Sequence, residues 1–204
     1  MNRTKTVLTT FLILFIFTSI STAQFLKVGV GGGITQVLAP DVLTNKVSDG
    51  GLGYSTEWNI GLVGKVNLPL VPITPRAFII DHMFSGKGTY ENQDIEYSQT
   101  VLEYGVGAQY NFIPVPLGFD PYIAVDLSFS NFGDFTQKVN GVENKSSGMT
   151  RFGGGIGLGS EVTIVPVVNL DLYLCYKMLN LAGKDEGEKT ISAVTLDAFI
   201  TFNL

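Results

Sequence analysis

The chain has 204 residues, with 13 Lys and Arg, 18 Asp and Glu, and a formal charge of −5. That length holds one domain, and the acidic balance argues against nucleic acid as a partner. The single cysteine, Cys175, excludes an internal disulfide framework and reads as an inert strand thiol.

The first element reads as a targeting segment. Arg3 and Lys5 precede the apolar run Val7 to Ile20, and Ser21-Thr22-Ala23 supplies small residues before Gln24. The run is shorter than the ~20 residues a spanning helix needs. Residues 1–23 are therefore expected to be a secretory signal peptide and 24–204 the exported domain. Loss of Arg3 and Lys5 would take the formal charge from −5 to −7. No later apolar stretch has the length of a transmembrane helix. Aromatics nevertheless make up 11% of the chain, charged residues only 15%, and there are 24 glycines, a composition that suits a membrane β-barrel.

Eight extended segments follow, in which side chains alternate between two faces. The first, about 25–34, opposes Leu26, Val28, Val30 and Ile34 to Lys27 and glycines. The second, about 54–68, opposes Trp58, Ile60, Leu62 and Val66 to Glu57, Asn59 and Lys65. The third, about 76–85, sets Phe78, Ile80 and Phe84 against Asp81, but Ile79 and Met83 fall on the Asp81 side; a bulge is expected there. The fourth, about 97–112, opposes Leu102, Tyr104, Val106 and Tyr110 to Glu103 and Gln109. The fifth, about 121–132, opposes Ile123, Val125, Leu127 and Phe129 to Asp126, Ser128 and Ser130. The sixth, about 149–165, opposes Phe152, Ile156 and Leu158 to Arg151, Glu161 and four glycines from Gly153 to Gly159. The seventh, about 168–179, opposes Leu170, Leu172, Leu174 and Tyr176 to Asp171 and Lys177; the eighth, about 190–204, opposes Leu196, Ile200, Phe202 and Leu204 to Asp197.

Connections alternate in length. Pro69 to Pro75, Pro114 to Pro121 and Val165-Pro166-Val167 are short and proline-marked, while 35–53, 86–96, 133–148 and 180–189 are longer and polar. Proline ends strands because it cannot donate to the ladder. A repeat supports the registration: Gly61 to Pro72 aligns with Gly105 to Pro116, with a looser copy from Gly157 to Pro166. Asn140-Gly141 reads as a hairpin tip, so segments five and six are expected to continue beyond a membrane.

A basic side chain on a lipid-facing strand surface costs about 2–4 kcal/mol at mid-depth. The charge-bearing face is therefore expected to point inward. The expected lumen charge network is Lys27, Glu57, Lys65, Glu103, Asp126, Arg151, Glu161, Asp171, Lys177 and Asp197, with glycines leaving room for long side chains. Tyr54, Trp58, Phe84, Tyr97, Tyr110, Phe112, Phe119, Tyr122, Phe132 and Phe202 lie near segment ends, where aromatic girdles form. The architecture expected is an all-β, eight-stranded antiparallel up-and-down transmembrane barrel.

Three other features take bland readings. Gly29 to Gly33 precedes no helix, so it is not a phosphate loop. His82 and Ser85 have opposite parity and no evident orienting acid, so His82 reads as a rim residue rather than a base. Asp185, Glu186 and Glu188 fit no calcium-loop spacing and read as a solvated loop; no metal or cofactor is expected.

The Ser21-Thr22-Ala23 end, the first strand Val28 to Gly33, the Pro turns and the terminal Asp197 to Leu204 together resemble the bacterial outer-membrane β-barrel domain family, of the small OmpA/OmpX-like and PorT-like type. The resemblance covers the whole exported domain. It implies residence in the outer membrane among its lipids, delivery by periplasmic chaperones, and recognition of the last strand, Phe202 and Leu204, by the barrel-assembly machinery. The expected function is that of a non-enzymatic, monomeric envelope component, with a lumen filled by side chains and surface loops for contact or adhesion. The alternatives are a narrow transport pore, or a soluble lipocalin-like binder with its apolar face inward.

Overall fold

The computed structural model describes residues 26–68, 71–112 and 118–204; the expected signal peptide and parts of two Pro turns lie outside them. The strands are β1 (Leu26–Ala39), β2 (Thr56–Val66), β3 (Ile73–Tyr90), β4 (Gln93–Asn111), β5 (Phe119–Phe132), β6 (Phe135–Val139), β7 (Val142–Ser146), β8 (Met149–Val165), β9 (Val168–Ala182) and β10 (Ser192–Asn203). Eight of them, all but β6 and β7, pair antiparallel with their chain neighbours. Pairing of β1 with β10 closes the ring, so the wall has no open edge.

The side-chain alternation decides inside from outside. Val30, Ile60, Leu62, Val106, Leu127, Leu158, Leu174 and Leu196 are exposed, while Lys65, Glu103, Asp126, Asp171, Lys177 and Asp197 are buried. Apolar outside and polar inside is the arrangement of a barrel dissolved in lipid, and it is the reverse of a lipocalin-like interior. Among the described residues no helix is long and apolar enough to cross a membrane.

The third strand departs from expectation. β3 carries no register shift against either neighbour; its apolar parity is inverted instead. Thr74, Arg76, Phe78, Ile80, His82 and Phe84 are buried, and Ile73 and Ile79 face out, with Asp81 half-exposed beside them. The irregularities lie at Val37/Ala39, Phe152/Gly154 and Thr163/Val165.

The wall is not of even height. Segment 86–96, expected as a loop, is strand on both sides of a two-residue turn at Glu91 and Asn92, whose φ values are 50° and 64°. β6 pairs with the outer part of β4, and β7 pairs with β6 across the turn Asn140-Gly141. The upper β3 and β4 with β6 and β7 thus form a four-stranded sheet standing above the rim. The other half of the rim is low and carries two loops. One, between β1 and β2, has short helical turns at Asp41–Thr44 and Val47–Asp49 and leans on β3, with Val47 packed at Gly88.

Candidate functional site

The lumen is filled in layers. Nearest the end bearing the short turns, Glu161 on β8 accepts from Lys27, from Lys65 at 2.8 Å and from Gln109 at 3.3 Å. Lys65 also reaches Asp171 at 2.7 Å, and the Tyr122 hydroxyl donates to Asp171 at 2.6 Å. The repeat explains this convergence. Lys65, Gln109 and Glu161 each stand four residues after the first glycine of their copies, Gly61, Gly105 and Gly157. Equivalent positions on three inward-facing strands come to one depth, where one acid and two donors meet.

The next layer places Arg76 over the Tyr173 ring, 4.2 Å from its centroid, with Nε 3.6 Å from Asp126. Tyr173 donates to Asp126 at 2.8 Å. Above it, Lys177 contacts Glu103 at 2.5 Å, and Glu103 lies 3.1 Å from His82 Nε2. The other ring nitrogen, Nδ1, lies 2.8 Å from Thr35 Oγ1. Asn59 bridges Thr35 at 3.0 Å and Asp197 at 2.8 Å. These charges are removed from water, so each needs a partner to offset its desolvation.

Glycine makes the room. A Cβ on Gly159 would lie 2.2 Å from the Tyr122 ring, one on Gly157 2.7 Å from the Tyr173 ring, and one on Gly105 2.8 Å from Phe78. The large side chains therefore lie flat over bare backbone of adjoining strands. Tyr122 and Tyr173 stack with centroids 5.9 Å apart.

Toward the loop-bearing end the inward-facing side chains are apolar. Val37, Tyr54, Phe84, Val101, Phe132 and Leu179 form one buried cluster, with Leu43, Leu52, Tyr97 and Ile191 against it. Tyr54, Phe84, Tyr122 and Phe132 thus face inward and are not part of a girdle. Trp58, Tyr110, Phe112, Phe119 and Phe202 do face out.

Two members of the expected network sit elsewhere. Glu57 is half-buried at the rim and accepts from Ser85 at 2.9 Å. Arg151 stands above the last lumen layer and forks onto the 183–191 loop, reaching Asp185 at 2.6 Å and Glu188 at 2.8 Å. Asn180 donates to Glu188 at 2.7 Å and accepts from the Ile191 N–H, so this loop is tied down, not simply solvated. His82 is fully buried with an acid beside it, correcting its placement at the rim. Cys175 is buried, as its parity implied. Among the described residues no cluster suited to a metal ion occurs. Arg76, Asn59, Gln109, Tyr122 and Tyr173 join the lumen layers although the expected charge network did not include them.

A closed eight-stranded ring, apolar toward lipid and filled with paired charges, defines a small transmembrane β-barrel. The chain belongs to the outer membrane protein beta-barrel domain family, whose model matches residues 8–197. Among solved structures it is similar to Neisserial surface protein A, at 16% identity and TM-score 0.59, covering 88% of this chain and 97% of that one. It is also similar to Ail, the attachment invasion locus protein of Yersinia pestis, at 9% identity and TM-score 0.50, covering 88% and 100%. These likenesses are of fold. No curated protein matches the chain.

Proposed function

We propose that this outer-membrane barrel is a non-enzymatic envelope component whose working part is its outer surface. The observation that carries the reading is the filled lumen. Lys65, Lys177 and Arg76 with their acids occupy its middle, and the Val101–Phe132–Leu179 cluster closes the mouth. A barrel of eight strands has an interior just wide enough for side chains. The tall four-stranded sheet and the two rim loops are then what the protein offers to its surroundings. Ail, a fold neighbour, is named as an attachment invasion locus protein, which motivates the same emphasis here.

On this reading residues 1–23 direct export and periplasmic chaperones deliver the chain. The assembly machinery reads β10 through Phe202 and Leu204, and a monomer sits in outer-membrane lipid. No nucleic acid or cofactor takes part. Planar-bilayer recording of the refolded protein tests the plugged lumen: the expected result is no stable conductance. Large, steady single-channel currents would replace this reading with that of a narrow pore. Loss of cell-surface contact on deleting residues 135–146, with the barrel still assembled, tests the role of the sheet.

A further inference from the structure

The outermost strand of the tall sheet is unpaired on one side. Among the described residues β7 bonds only to β6, and all five of its residues are exposed. The sheet has a second open stretch, upper β3, but the first loop lies against it, with Leu52 and Val47 at Gly86 and Gly88. Among the described residues nothing covers the β7 edge in this way.

Charge along the outer face alternates strand by strand. The register aligns Lys87, Glu96, Lys138 and Glu143 in one row, and Ser85, Ser98, Thr136 and Lys145 in the next. Glu143 lies 3.6 Å from Lys138 and 3.0 Å from Lys145. On the opposite face the row Gly88, Ile95, Val139 and Val142 is apolar. A further strand that continued this pattern would set a base beside Glu143, an acid beside Lys145 and an apolar residue beside Val142. Cross-strand pairs of opposite charge stabilise and like charges opposed destabilise.

A second copy of the chain cannot supply that strand. In one membrane both β7 strands run toward the barrel, so they would lie parallel with Glu143 beside Glu143. Antiparallel pairing would need one barrel upside down.

Building on the surface-contact reading above, we propose that the β7 edge captures an extended segment of another polypeptide as an added antiparallel strand, with the pattern acidic–any–basic–apolar in the direction of its chain. The two-residue turn makes Val139 and Val142 a hydrogen-bonded pair, so the backbone groups of Glu143 and Lys145 point away from β6 and are free to pair. Main-chain bonding gives the attachment and the two charges select the sequence.

The test uses the full barrel in lipid nanodiscs and two fluorescein-labelled peptides, TETKVT and its charge-swapped form TKTEVT. Fluorescence polarisation is expected to show saturable binding of the first, roughly tenfold tighter than of the second. Combining Glu143→Lys with Lys145→Glu should reverse the preference, and Lys145→Pro should abolish binding because it removes an outward donor while sparing the bonds to β6. Heat-modifiable gel mobility checks that each variant keeps its barrel. Equal binding of the two peptides, absence of saturable binding, or an unreversed preference in the swapped variant would overturn the proposal. The edge charges would then serve to repel strands of every sequence. Neither the bilayer recording nor the cell-contact assay bears on these outcomes, so the two readings fail separately.

Discussion

Below His82 the inward-facing side chains are ionic: Lys27, Lys65, Arg76 and Lys177 interleave with Glu161, Asp171, Asp126 and Glu103. Above it the inward side is apolar, with Val37, Tyr54, Phe84, Val101, Phe132 and Leu179 in one cluster. The two fillings obey different rules. In the ionic part each group is expensive to bury and is held by named partners, so removing one strands another. In the apolar part each residue contributes by volume and contact, and a neighbour can partly relax into a gap. The ionic layers also orient their neighbours: Tyr122 and Tyr173 lie over Gly159 and Gly157 with their hydroxyls bonded to Asp171 and Asp126. The apolar cap lies where two rim loops come down on it, with Leu43, Leu52 and Ile191 packed against it.

The largest effect is expected where an ion loses its partner. Lys65→Met leaves Glu161 with Lys27 alone among its basic partners and Asp171 with none within 4 Å. It should lower stability by about 3–5 kcal/mol, read by urea unfolding in micelles. A cost under about 1 kcal/mol would show that the ionic layers are wet. In the cap, Leu179→Ala should cost about 2–5 kcal/mol and loosen the mouth, read as faster hydrogen exchange at Val101 and Phe132 without increased conductance. Conductance appearing in this variant would mean that the apolar cap alone is the seal. A smaller effect of opposite sign is expected outside: Asp81→Leu removes a carboxylate between Ile60 and Leu102 on the lipid side. It should stabilise by about 1 kcal/mol, less than the cost assigned to a basic side chain at mid-depth.

The contrast between the two fillings also explains which parts of the fold the sequence displays. In β8 and in the Glu103–Gln109 stretch of β4 the lumen face is charged, amide or glycine, so apolarity marks the lipid face and the alternation assigns itself. β3 misleads because it lines the transition to the apolar cap. Phe78, Ile80 and Phe84 point inward, where Gly105 and Gly61 make room for the first two. Hydrophobicity then sits on both faces and the period alone cannot choose. The cost of a cation in lipid could have chosen, because Arg76 shares the parity of Phe78. The repeat was visible, but its meaning was not: that Lys65, Gln109 and Glu161 share one depth depends on strand tilt and closure. Arg151 has the right parity for the lumen and misses it by height, a coordinate that a period of two does not encode. Tyr54, Phe84 and Phe132 err similarly, since nearness to a strand end does not tell a girdle from a cap.

The smallest effect concerns the loop that lies over the cap, and it is set by pH. Glu188 accepts from Arg151 Nε and Nη2 and from Asn180, and the Asp185 N–H donates to it. The Arg151 hydrogen bonds, against some desolvation, hold its carboxylate down from the usual 4.5 to about 2. A carboxylate whose pKa is depressed in the folded state adds stability that is fully present above its unfolded pKa and fades as pH falls toward the folded one. The 183–191 loop should therefore stay fastened at neutral pH and loosen progressively from about 4.5 to about 2. Glu188 sits in a rim loop with 20% of its side-chain surface exposed, and its ion pair is partly screened by solvent, so the change in global stability is small; the sensitive readout is proteolysis or hydrogen exchange in the loop. Glu188→Gln should give the loosened loop at every pH and flatten the profile. If the loop exchanged equally at pH 7 and pH 3 in the unmodified protein, Ile191 packing into the cap, rather than the Arg151 fork, would be what holds it.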